Sequence, residues 1–468
     1  MTQRKARRMT QRAVAPRKYP RHSDGRRPRE NVGTPMIYMV NQGGTTVTRM
    51  TLAATTAAAT GLALIAGAAS AQEIRFMCYS DGNECEVYDD VLTRFEADNP
   101  GIDVIVDVVP YQAILENLPV QLAAGTGPDI AKVTDLGGLN EYYLDLAPYV
   151  DRDYWESSFG GTLDWYRGGP DDDGIYGMHS QLTITGAFVN ATLFEQAGIE
   201  MPGADATWAD WAEASRAVAE ATDTPFPMAI DRSGHRVAGP AISYGAALFG
   251  PDGEPTLSDE GFAAFVEQFV EWHNDGTIAR DVWAGQGGAT YQDAAQEFIN
   301  GELVFYYSGS WQVGRMDEQV GDFFDWQVVG SPCGPAGACS GMPGGAGIVG
   351  FSQTEHPEAV AAVIDFLAQE DIYAEVAART RNLPGHLGVA SAGVEFQDAS
   401  PAASAALAAF ASDLPDVAPA AFAYQGYAGN RAMFGITVER VSQAIVGELS
   451  VEDAVARMAD DLAAAMSQ

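Results

Sequence analysis

The chain has 468 residues, enough for two or three domains, and its 47% hydrophobic and 19% charged residues exclude wholesale disorder. Residues 1–50 hold 12 of the 27 basic side chains, whereas residues 72–468 hold 15 basic against 61 acidic residues and a single lysine, Lys132. The resulting net charge of −46 repels phosphate backbones and anionic lipid, which excludes a nucleic-acid-binding function.

The N-terminal segment has the pattern of a secretory signal. Arg49 is followed by an apolar run of small residues that ends in Ala69-Ser70-Ala71, which predicts cleavage after Ala71. The run is too rich in Ala, Thr and Gly to make a good membrane anchor. We interpret the basic stretch before it as the product of a start codon assigned too early, with a twin-arginine signal at Arg7-Arg8 as the alternative. The candidate starts are Met1, Met36, Met39 and Met50.

Strands and helices are predicted to alternate beyond the signal. Strands at 74–77, 102–109 and 130–133 alternate with helices at 86–98 and 111–124. This β-α-β-α-β unit implies a parallel sheet that binds ligands at the carboxyl ends of its strands. Residues 140–175 are irregular and aromatic. Further strands are predicted at 184–189, 302–307, 325–329 and 347–351, and further helices at 192–197, 208–221, 259–275, 291–301 and 357–378. One or two more helices are predicted at 434–467.

Export would place the four cysteines in an oxidising compartment. Two short disulfides, Cys78–Cys85 and Cys333–Cys339, are the simplest pairing, although four cysteines allow three connectivities. A zinc site is disfavoured because neither pair has the spacing that such sites prefer. Bridges that close such short loops are expected to shape the loops rather than to hold the fold.

Catalytic and metal motifs are absent or incomplete. The sequence has no P-loop, H-E-x-x-H or G-x-S-x-G. Gly345–Gly350 matches G-x-G-x-x-G, but its glycines precede or occupy a strand instead of following one. Asp171–Gly174 lacks the spacing of a calcium loop, and the six histidines lack metal spacing. We therefore predict no cofactor and no metal, while the many carboxylates leave the acid pair of a glycosidase open.

Aromatic residues cluster in loops, which favours a sugar ligand. The CH faces of sugars stack on such rings, and the sugar hydroxyls form hydrogen bonds with charged or amide side chains. The alternative is that most of these rings fill the core. The clusters are Tyr142-Tyr143, Tyr154-Trp155, Trp165-Tyr166 and Tyr306–Trp311.

The chain resembles the extracytoplasmic sugar-binding proteins of ATP-binding-cassette (ABC) importers, the class that includes maltose-binding protein. The resemblance covers residues 73–468 as an ordered series: PGIDVIVDVVPY, GTGPDIAKVTD, GIYGMHSQLTITGAFVNATLFEQAGIEMPGADATWADW, FINGELVFYYSGSW and RTRNLPGH. The paired cysteines, with MPGG before the strand at 347–351, resemble the α-glucoside-binding branch most closely.

The resemblance implies an α/β fold of two lobes, each a mainly parallel sheet flanked by helices, which close on a ligand at the hinge. Lobe 1 would take residues 73–182 and 348–382, and lobe 2 residues 186–345 and 383–468, after removal of residues 1–71. The implied protein is a periplasmic monomer, not an enzyme, that delivers a neutral α-glucoside to the membrane permease. A secreted glycoside hydrolase acting on α-glucosides is the alternative, and the particular sugar stays open.

The resemblance also assigns the ligand contacts, with Trp311 as the stacking aromatic. The last contact segment lacks the tryptophan that is usual there, and two glycines would let the backbone approach the ligand. In chain order the expected contacts are Tyr79, Asp81, Thr134, Asp135, His179, Gln181, His235, Arg236, Trp311, Gly344, Gly345, Tyr427 and Arg431.

Overall fold

The structure is a computed structural model that describes residues 71–169, 171–285 and 287–467. The signal predicted in residues 1–71 therefore lies, except for Ala71, outside the described residues. Within those residues, no helix combines the length and the apolar character needed to cross a membrane.

The described residues form a mixed α/β fold, as predicted. The strands are β1 (Gln72–Cys78), β2 (Ile102–Val108), β3 (Ile130–Val133), β4 (Gly177–Asn190), β5 (Phe226–Ile230), β6 (Leu303–Gly309), β7 (Trp326–Val329) and β8 (Pro343–Gly350). The helices are α1 (Glu84–Asp98), α2 (Leu118–Ala123), α3 (Arg152–Phe159), α4 (Ala191–Ala197), α5 (Trp208–Thr222), α6 (Gly234–Ser243), α7 (Glu260–Asn274), α8 (Asp281–Ala284), α9 (Ala295–Ile299), α10 (Val313–Val320), α11 (Pro357–Ala368), α12 (Glu370–Thr380), α13 (Leu387–Ala392), α14 (Pro401–Asp413), α15 (Pro419–Gly426), α16 (Asn430–Val446) and α17 (Val451–Met466).

The long strand β4 connects two sheet regions. Its first half, Gly177–Ile184, pairs with β8, whereas Thr185–Asn190 pairs with β6 and β7. The complete order is β2-β1-β3-β8-β4-β6-β5, with β7 also on β4. The predicted β-α-β-α-β unit is present, since β1 runs parallel to both β2 and β3.

The expectation of mainly parallel sheets needs a correction. β8 is antiparallel to both β3 and β4, and β4 is antiparallel to both β6 and β7. Parallel pairing is confined to β1 with its two neighbours and to β5 with β6. Both regions therefore contain parallel and antiparallel pairs.

The apolar core is divided in the same way. One large cluster contains residues between 184 and 342, together with Leu383 and residues from 403 to 462. Two smaller clusters contain residues between 74 and 178 and between 346 and 389. Val389 of α13 belongs to the smaller clusters, although the resemblance assigned residues from 383 onward to lobe 2.

Several predicted elements differ from the observed ones for local reasons. The predicted helix 111–124 is a π-helical turn at Ala113–Asn117 followed by α2, because Pro119 cannot donate a backbone hydrogen bond. The predicted helix 357–378 is two helices, since Gln369 between them is extended. The segment 434–467, predicted as one or two helices, is two, α16 and α17, divided by Gly447 in the left-handed region at φ 80°.

Both predicted disulfides are present and confirm the local pairing. Cys78 is bonded to Cys85, and Cys333 to Cys339. The first bridge ties the end of β1 to the start of α1, and the second closes the loop between β7 and β8. The described residues contain no group of side chains able to hold a metal ion.

Most acidic side chains lie at least partly at the surface, where their negative charges repel one another. Among the Asp, Glu, Lys and Arg residues of the described ranges, the buried ones are Glu84, Lys132, Asp231 and Arg232. The remaining charges are exposed to solvent at least in part, so salt can screen the repulsion between them. The Debye length falls from about 10 Å at 0.1 M to about 3 Å at 1 M, which makes this screening stronger.

We therefore expect the melting temperature of the mature chain to rise by several degrees between about 0.1 M and about 1 M NaCl, over which screening relieves this repulsion. Differential scanning fluorimetry measures the shift, with an uncharged osmolyte at matched osmolality as the control. A melting temperature that is flat in NaCl, or that rises equally in the osmolyte, contradicts the expectation.

Candidate functional site

A cleft of about 430 Å³ lies over the paired strands β4 and β8, beside the point where β4 passes from one sheet region to the other. The ends of β1 and β3 and the π-helical turn form its first wall. The starts of α6 and α16, the turn with Trp311 just before α10, and the loop 289–291 form its second wall. Eleven of the thirteen predicted contacts line it: Tyr79, Asp81, Thr134, Asp135, Gln181, His235, Arg236, Trp311, Gly344, Gly345 and Arg431.

The first wall carries hydroxyls and carboxylates at strand ends. Tyr111, after β2, forms a hydrogen bond of 2.9 Å through its hydroxyl with Thr134 Oγ1, after β3. The Tyr79 and Tyr111 rings lie 4.8 Å apart, centroid to centroid. Asp135 folds back to accept from the backbone of Gly138 at 3.1 Å, and burial raises the pKa of its carboxyl.

A buried ion pair supports the first loop of this wall. Lys132 Nζ lies 3.8 Å from Glu84 Oε1, and both side chains are almost completely buried. The same ammonium donates to the Tyr79 carbonyl at 3.3 Å and lies 4.3 Å from the centre of its ring. Glu84 accepts from the backbone N–H groups of Asp81 and Gly82. The Lys132–Glu84 pair thus fixes the loop that presents Tyr79 and Asp81 to the cleft.

Asp81 is a carboxyl with an unusual acidity. Burial raises its pKa to about 7, and the neighbouring negative charge of Glu84 adds to this effect. The positive charges of Lys132 and Arg236 act in the opposite direction. Asp81 can therefore exist in both protonation states near neutral pH, as a donor or as an acceptor of hydrogen bonds.

The second wall presents an indole ring and a guanidinium in contact. The guanidinium carbon of Arg236 lies 4.1 Å from the centre of the Trp311 ring. Trp311 is partly buried, and its six-membered ring occupies space that a side chain at Gly309 would fill. Arg236 also donates to His235 Nδ1 at 3.0 Å, while His235 Nε2 donates to the Pro343 carbonyl at 3.0 Å. His235 is therefore neutral, in agreement with the lowering of its pKa by burial and by Arg236.

Asp231, fully buried behind this wall, is the hydrogen-bond acceptor that organises it. Its carboxylate accepts from the hydroxyls of Tyr306 at 2.8 Å, Ser308 at 2.6 Å and Tyr291 at 3.2 Å. Burial raises its pKa to about 6, against the lowering effect of Arg236, whose Nε lies 3.9 Å away. Three hydroxyls of the second wall are thus oriented by one carboxylate.

Arg431 crosses from the second wall to the first. It stands in the first turn of α16, and its Nη2 donates to Thr134 Oγ1. The two walls are therefore in direct contact. The Nε atoms of both Arg431 and Arg236 are buried without a hydrogen-bond partner among the described residues. Both arginines line the cleft.

The floor of the cleft comes from β4 and β8. Gln181 accepts from Asn382 Nδ2 at 3.1 Å, which links the floor to the segment after α12. Gly345 has a φ of 148°, and a side chain there would collide with the Gln181 carbonyl and with His179. Its lack of a side chain is thus required by its protein neighbours, whatever the ligand.

His179 and Tyr427 do not line the cleft, which corrects two predicted contacts. His179 is fully buried, where Nδ1 meets the Tyr166 hydroxyl at 3.1 Å and Nε2 the Gly344 carbonyl at 3.3 Å. An irregularity in β4 between His179 and Gln181 breaks the two-residue alternation that would have placed both on one face. The Tyr427 ring packs edge-on against Phe249 instead.

Because His179 is buried, we expect the free energy of unfolding to decrease as the pH falls. Desolvation lowers its pKa from 6.5 to about 4, so the unfolded chain binds the proton more readily between those values. Relative to the His179→Gln variant, the free energy of unfolding of the wild type should fall by about 3 kcal/mol between pH 6.5 and pH 4. Urea unfolding of both proteins across this range gives the difference. A difference that does not change with pH contradicts the neutral, buried histidine.

Tyr111 and Tyr291 are cleft residues that the sequence reasoning did not identify. Their rings meet edge to face across the cleft, with centroids 5.9 Å apart. Tyr291 was placed in a predicted helix, but the chain at Gln292 forms a bridge with Arg232, so α9 begins only at Ala295. The available signal for Tyr111 was its position directly after a strand of the parallel unit.

Comparisons with known proteins agree with this architecture. A family model described as "Bacterial extracellular solute-binding protein" matches residues 83–374. A binding-protein homologue of Brucella abortus is 25% identical over 372 residues, which cover 76% of this chain and 85% of that protein.

Solved structures superpose over most of the chain. An ABC substrate-binding protein of Listeria monocytogenes in complex with cycloalternan has a TM-score of 0.71 at 19% identity and covers 85% of this chain and 100% of its own. The GacH receptor of Streptomyces glaucescens, studied with acarbose, has a TM-score of 0.71 at 16% identity and covers 85% and 99%. A maltose-bound protein of T. maritima has a TM-score of 0.69 at 19% identity and covers 84% and 99%. These structures establish the fold.

Proposed function

Because the chain belongs to the bacterial extracellular solute-binding protein family, we propose that its cleft captures a neutral oligosaccharide of the α-glucoside type for an ABC importer. Proteins of this family bind substrates and are not enzymes, so the glycoside hydrolase considered from the sequence alone is not retained. We propose that the bound sugar is delivered to the membrane permease when the lobes close around it.

The observation that carries the proposal is that an indole ring, two guanidinium groups and two carboxylates line one cleft. Trp311 offers a flat surface for the CH face of a sugar, as tryptophan does in stacked contacts. Arg236 and Arg431 supply guanidinium groups as donors. Asp81 and Asp135 supply acceptors. Sugar hydroxyls both donate and accept, and can satisfy both kinds of group at once.

The charges of the cleft favour a neutral ligand. Arg236 lies 3.9 Å from the Asp231 carboxylate, and the positive charge of Arg431 acts on Asp135. Each arginine therefore already has a carboxylate beside it. An anionic ligand would have to compete with these carboxylates, whereas a hydroxyl group can bridge an arginine and a carboxylate without separating them.

The α-glucoside assignment is supported by the ligands of the solved structures that share the fold. Cycloalternan, acarbose and maltose are named as their ligands. We take α-linked glucose units as the first class of sugar to test. The size of the cleft, about 430 Å³, lies within the usual range for small-molecule sites.

We propose that the two lobes follow the division of the core. Lobe 1 would comprise residues 73–182 and 348–382, and lobe 2 residues 186–345 and the C-terminal helices. The packing of Val389 supports assigning α13 to lobe 1, which moves the last boundary from 383 to the chain between Val394 and Phe396. We propose further that the protein is a monomer and that export uses a signal cleaved after Ala71, which places it in the periplasm.

A thermal-shift screen with a turnover assay tests the function. The mature chain, residues 72–468, is melted with maltose, trehalose, sucrose and maltotriose, and with sorbitol at equal concentration as the control. Binding to the folded state raises the melting temperature by mass action. At a sugar concentration one hundred times Kd, the free energy of unfolding increases by about 2.7 kcal/mol. We expect a shift with at least one α-glucoside, none with sorbitol, and no release of glucose. No shift with any sugar, or hydrolysis of one, overturns the proposal.

A further inference from the structure

The loop that brings Tyr291 to the cleft has little structure of its own. Residues 287–294, between α8 and α9, form neither a helix nor a strand apart from the bridge at Gln292. Residues 287–289, two glycines and an alanine, are exposed and have almost no side chain with which to pack. Glycine also brings conformational freedom that is lost when such a loop is ordered. The position of Tyr291 therefore depends on contacts from elsewhere in the chain.

Arg232, two residues beyond the end of β5, supplies several of these contacts. Its side chain is fully buried. Its Nη2 donates to the Gly288 carbonyl at 2.6 Å, and its Nη1 donates to the Thr290 carbonyl. Its backbone N–H donates to the Gln292 carbonyl at 2.8 Å. One residue thus binds three alternate carbonyls of the loop.

Two further contacts fix the guanidinium itself. Its Nε donates to the carbonyl of Trp283 on α8 at 3.3 Å, and its Nη2 also donates to Oγ of Ser442 on α16 at 3.1 Å. A guanidinium carries five N–H donors in a rigid plane, so it can bind several acceptors at once. The ammonium of a lysine is a compact charge with three donors and cannot span the same acceptors. The arrangement therefore requires the shape of an arginine as well as its charge.

Asp231, the residue before Arg232, holds the remainder of the loop. Its carboxylate accepts from the Tyr291 hydroxyl and from the Ala294 backbone N–H, both at 3.2 Å. The carboxylate is in turn fixed by the hydroxyl of Ser308 on β6, which donates to it at 2.6 Å. Asp231 and Arg232 together therefore hold the loop on both sides of Tyr291.

The ring of Tyr291 reaches the cleft because the loop is held in this place. The ring meets that of Tyr111 edge to face across the cleft, with centroids 5.9 Å apart. The guanidinium carbon of Arg236 lies 5.7 Å from the centre of the Tyr291 ring. A displaced loop would remove an aromatic ring from the cleft and both of these contacts with it.

We propose that Arg232 is a positioning residue of the binding site, which together with Asp231 anchors the 287–294 loop so that Tyr291 lines the cleft. Arg232 borders the cleft, but its side chain is fully buried, so it acts on a bound sugar through Tyr291. The effect on sugar binding rests on the proposed function. The anchoring of the loop does not, and it is tested without a ligand.

Hydrogen–deuterium exchange of the sugar-free mature chain tests the anchor. In Arg232→Lys, the amides of residues 287–294 should exchange about tenfold faster than in the wild type, the effect of losing one or two hydrogen bonds. The amides of β6 should keep their wild-type rates, which shows that the core is intact. The control is Arg152→Lys, since Arg152 also donates to a backbone carbonyl, that of Asp173 at 2.7 Å, but does not line the cleft.

The anchor is overturned if the exchange of the loop in Arg232→Lys is unchanged, or if it rises only together with that of β6. Tyr291→Phe provides a second test that leaves the buried arginine in place. It removes the hydroxyl that donates to Asp231 and should also speed exchange in the loop, and exchange as slow as in the wild type would count against the anchor.

A double-mutant cycle tests whether Arg232 acts through Tyr291. Calorimetric titration uses maltose, maltotriose, trehalose and sucrose, the sugars of the thermal-shift screen. Arg232→Lys should weaken the binding of the sugar that binds the wild type about tenfold, but less than about twofold when Tyr291→Ala is already present. An equal loss in both backgrounds indicates a general structural role and overturns the positioning role. A wild type that binds none of the sugars overturns the proposed function, while the exchange experiment still decides the anchor.

Discussion

Replacing Trp311 with alanine should weaken sugar binding by about 2–4 kcal/mol, or roughly 30- to 1,000-fold in Kd, without unfolding the protein. The indole lines the cleft and is only partly buried, so its loss removes ligand contact rather than core packing. About 1 kcal/mol of the effect would come from stacking beyond the buried area. Calorimetric titration with the sugar that gives the largest thermal shift measures it.

The control distinguishes a binding residue from a core residue. Tyr149→Ala removes an aromatic side chain that is 42% exposed and lies outside the cleft, and it should leave Kd unchanged. If Trp311 were a core ring, its replacement would instead lower the melting temperature with little change in affinity. An unchanged affinity in a folded Trp311→Ala protein would remove Trp311 from the site.

Replacing Lys132 with methionine should reduce the free energy of unfolding by about 3–5 kcal/mol. Lys132 is fully buried, and Glu84 beside it would be left as a buried carboxylate with no positive charge close to it. The loop with Tyr79 and Asp81 would also lose its support, so sugar affinity should fall as well. Urea unfolding and calorimetry measure the two effects.

A second substitution identifies the cause. Lys132→Met/Glu84→Gln removes both charges and should recover much of the stability, because the glutamine oxygen can still accept from Asp81 and Gly82. Arg75→Met breaks the exposed pair with Asp107 and should cost less than about 1 kcal/mol. A double variant no more stable than Lys132→Met would show that the buried carboxylate is not the source of the loss.

The fold was predictable from the sequence where apolar periodicity was strong. The helices α1, α5 and α7 and the strands β1 to β3 are close to their predicted bounds. The first half of β4 was missed because several of its residues, such as Ser180 and Gln181, are both polar and buried. The segment therefore lacks the alternation of apolar and polar residues that predicts a strand. α6 was missed because two glycines and Pro240 lie inside it.

The sequence predicted which residues lie near the cleft at the strand ends, but it did not predict the direction in which every side chain points. Arg236, Trp311 and Arg431 were placed by the resemblance, and the structure brings all three to the cleft. The irregularity in β4 that turns His179 away leaves no mark in the sequence. Tyr291 depends on a bridge to a distant strand end, and its pairing with Tyr111 is a long-range contact that local patterns do not encode.

A crystal structure of residues 72–468 with the tightest-binding sugar of the thermal-shift screen tests the central claim most directly. We predict one sugar molecule in the cleft, with a ring stacked on Trp311 and oxygens accepting from the guanidinium groups of Arg236 and Arg431. A sugar bound elsewhere on the surface, or an unoccupied cleft at saturating sugar, would contradict the account.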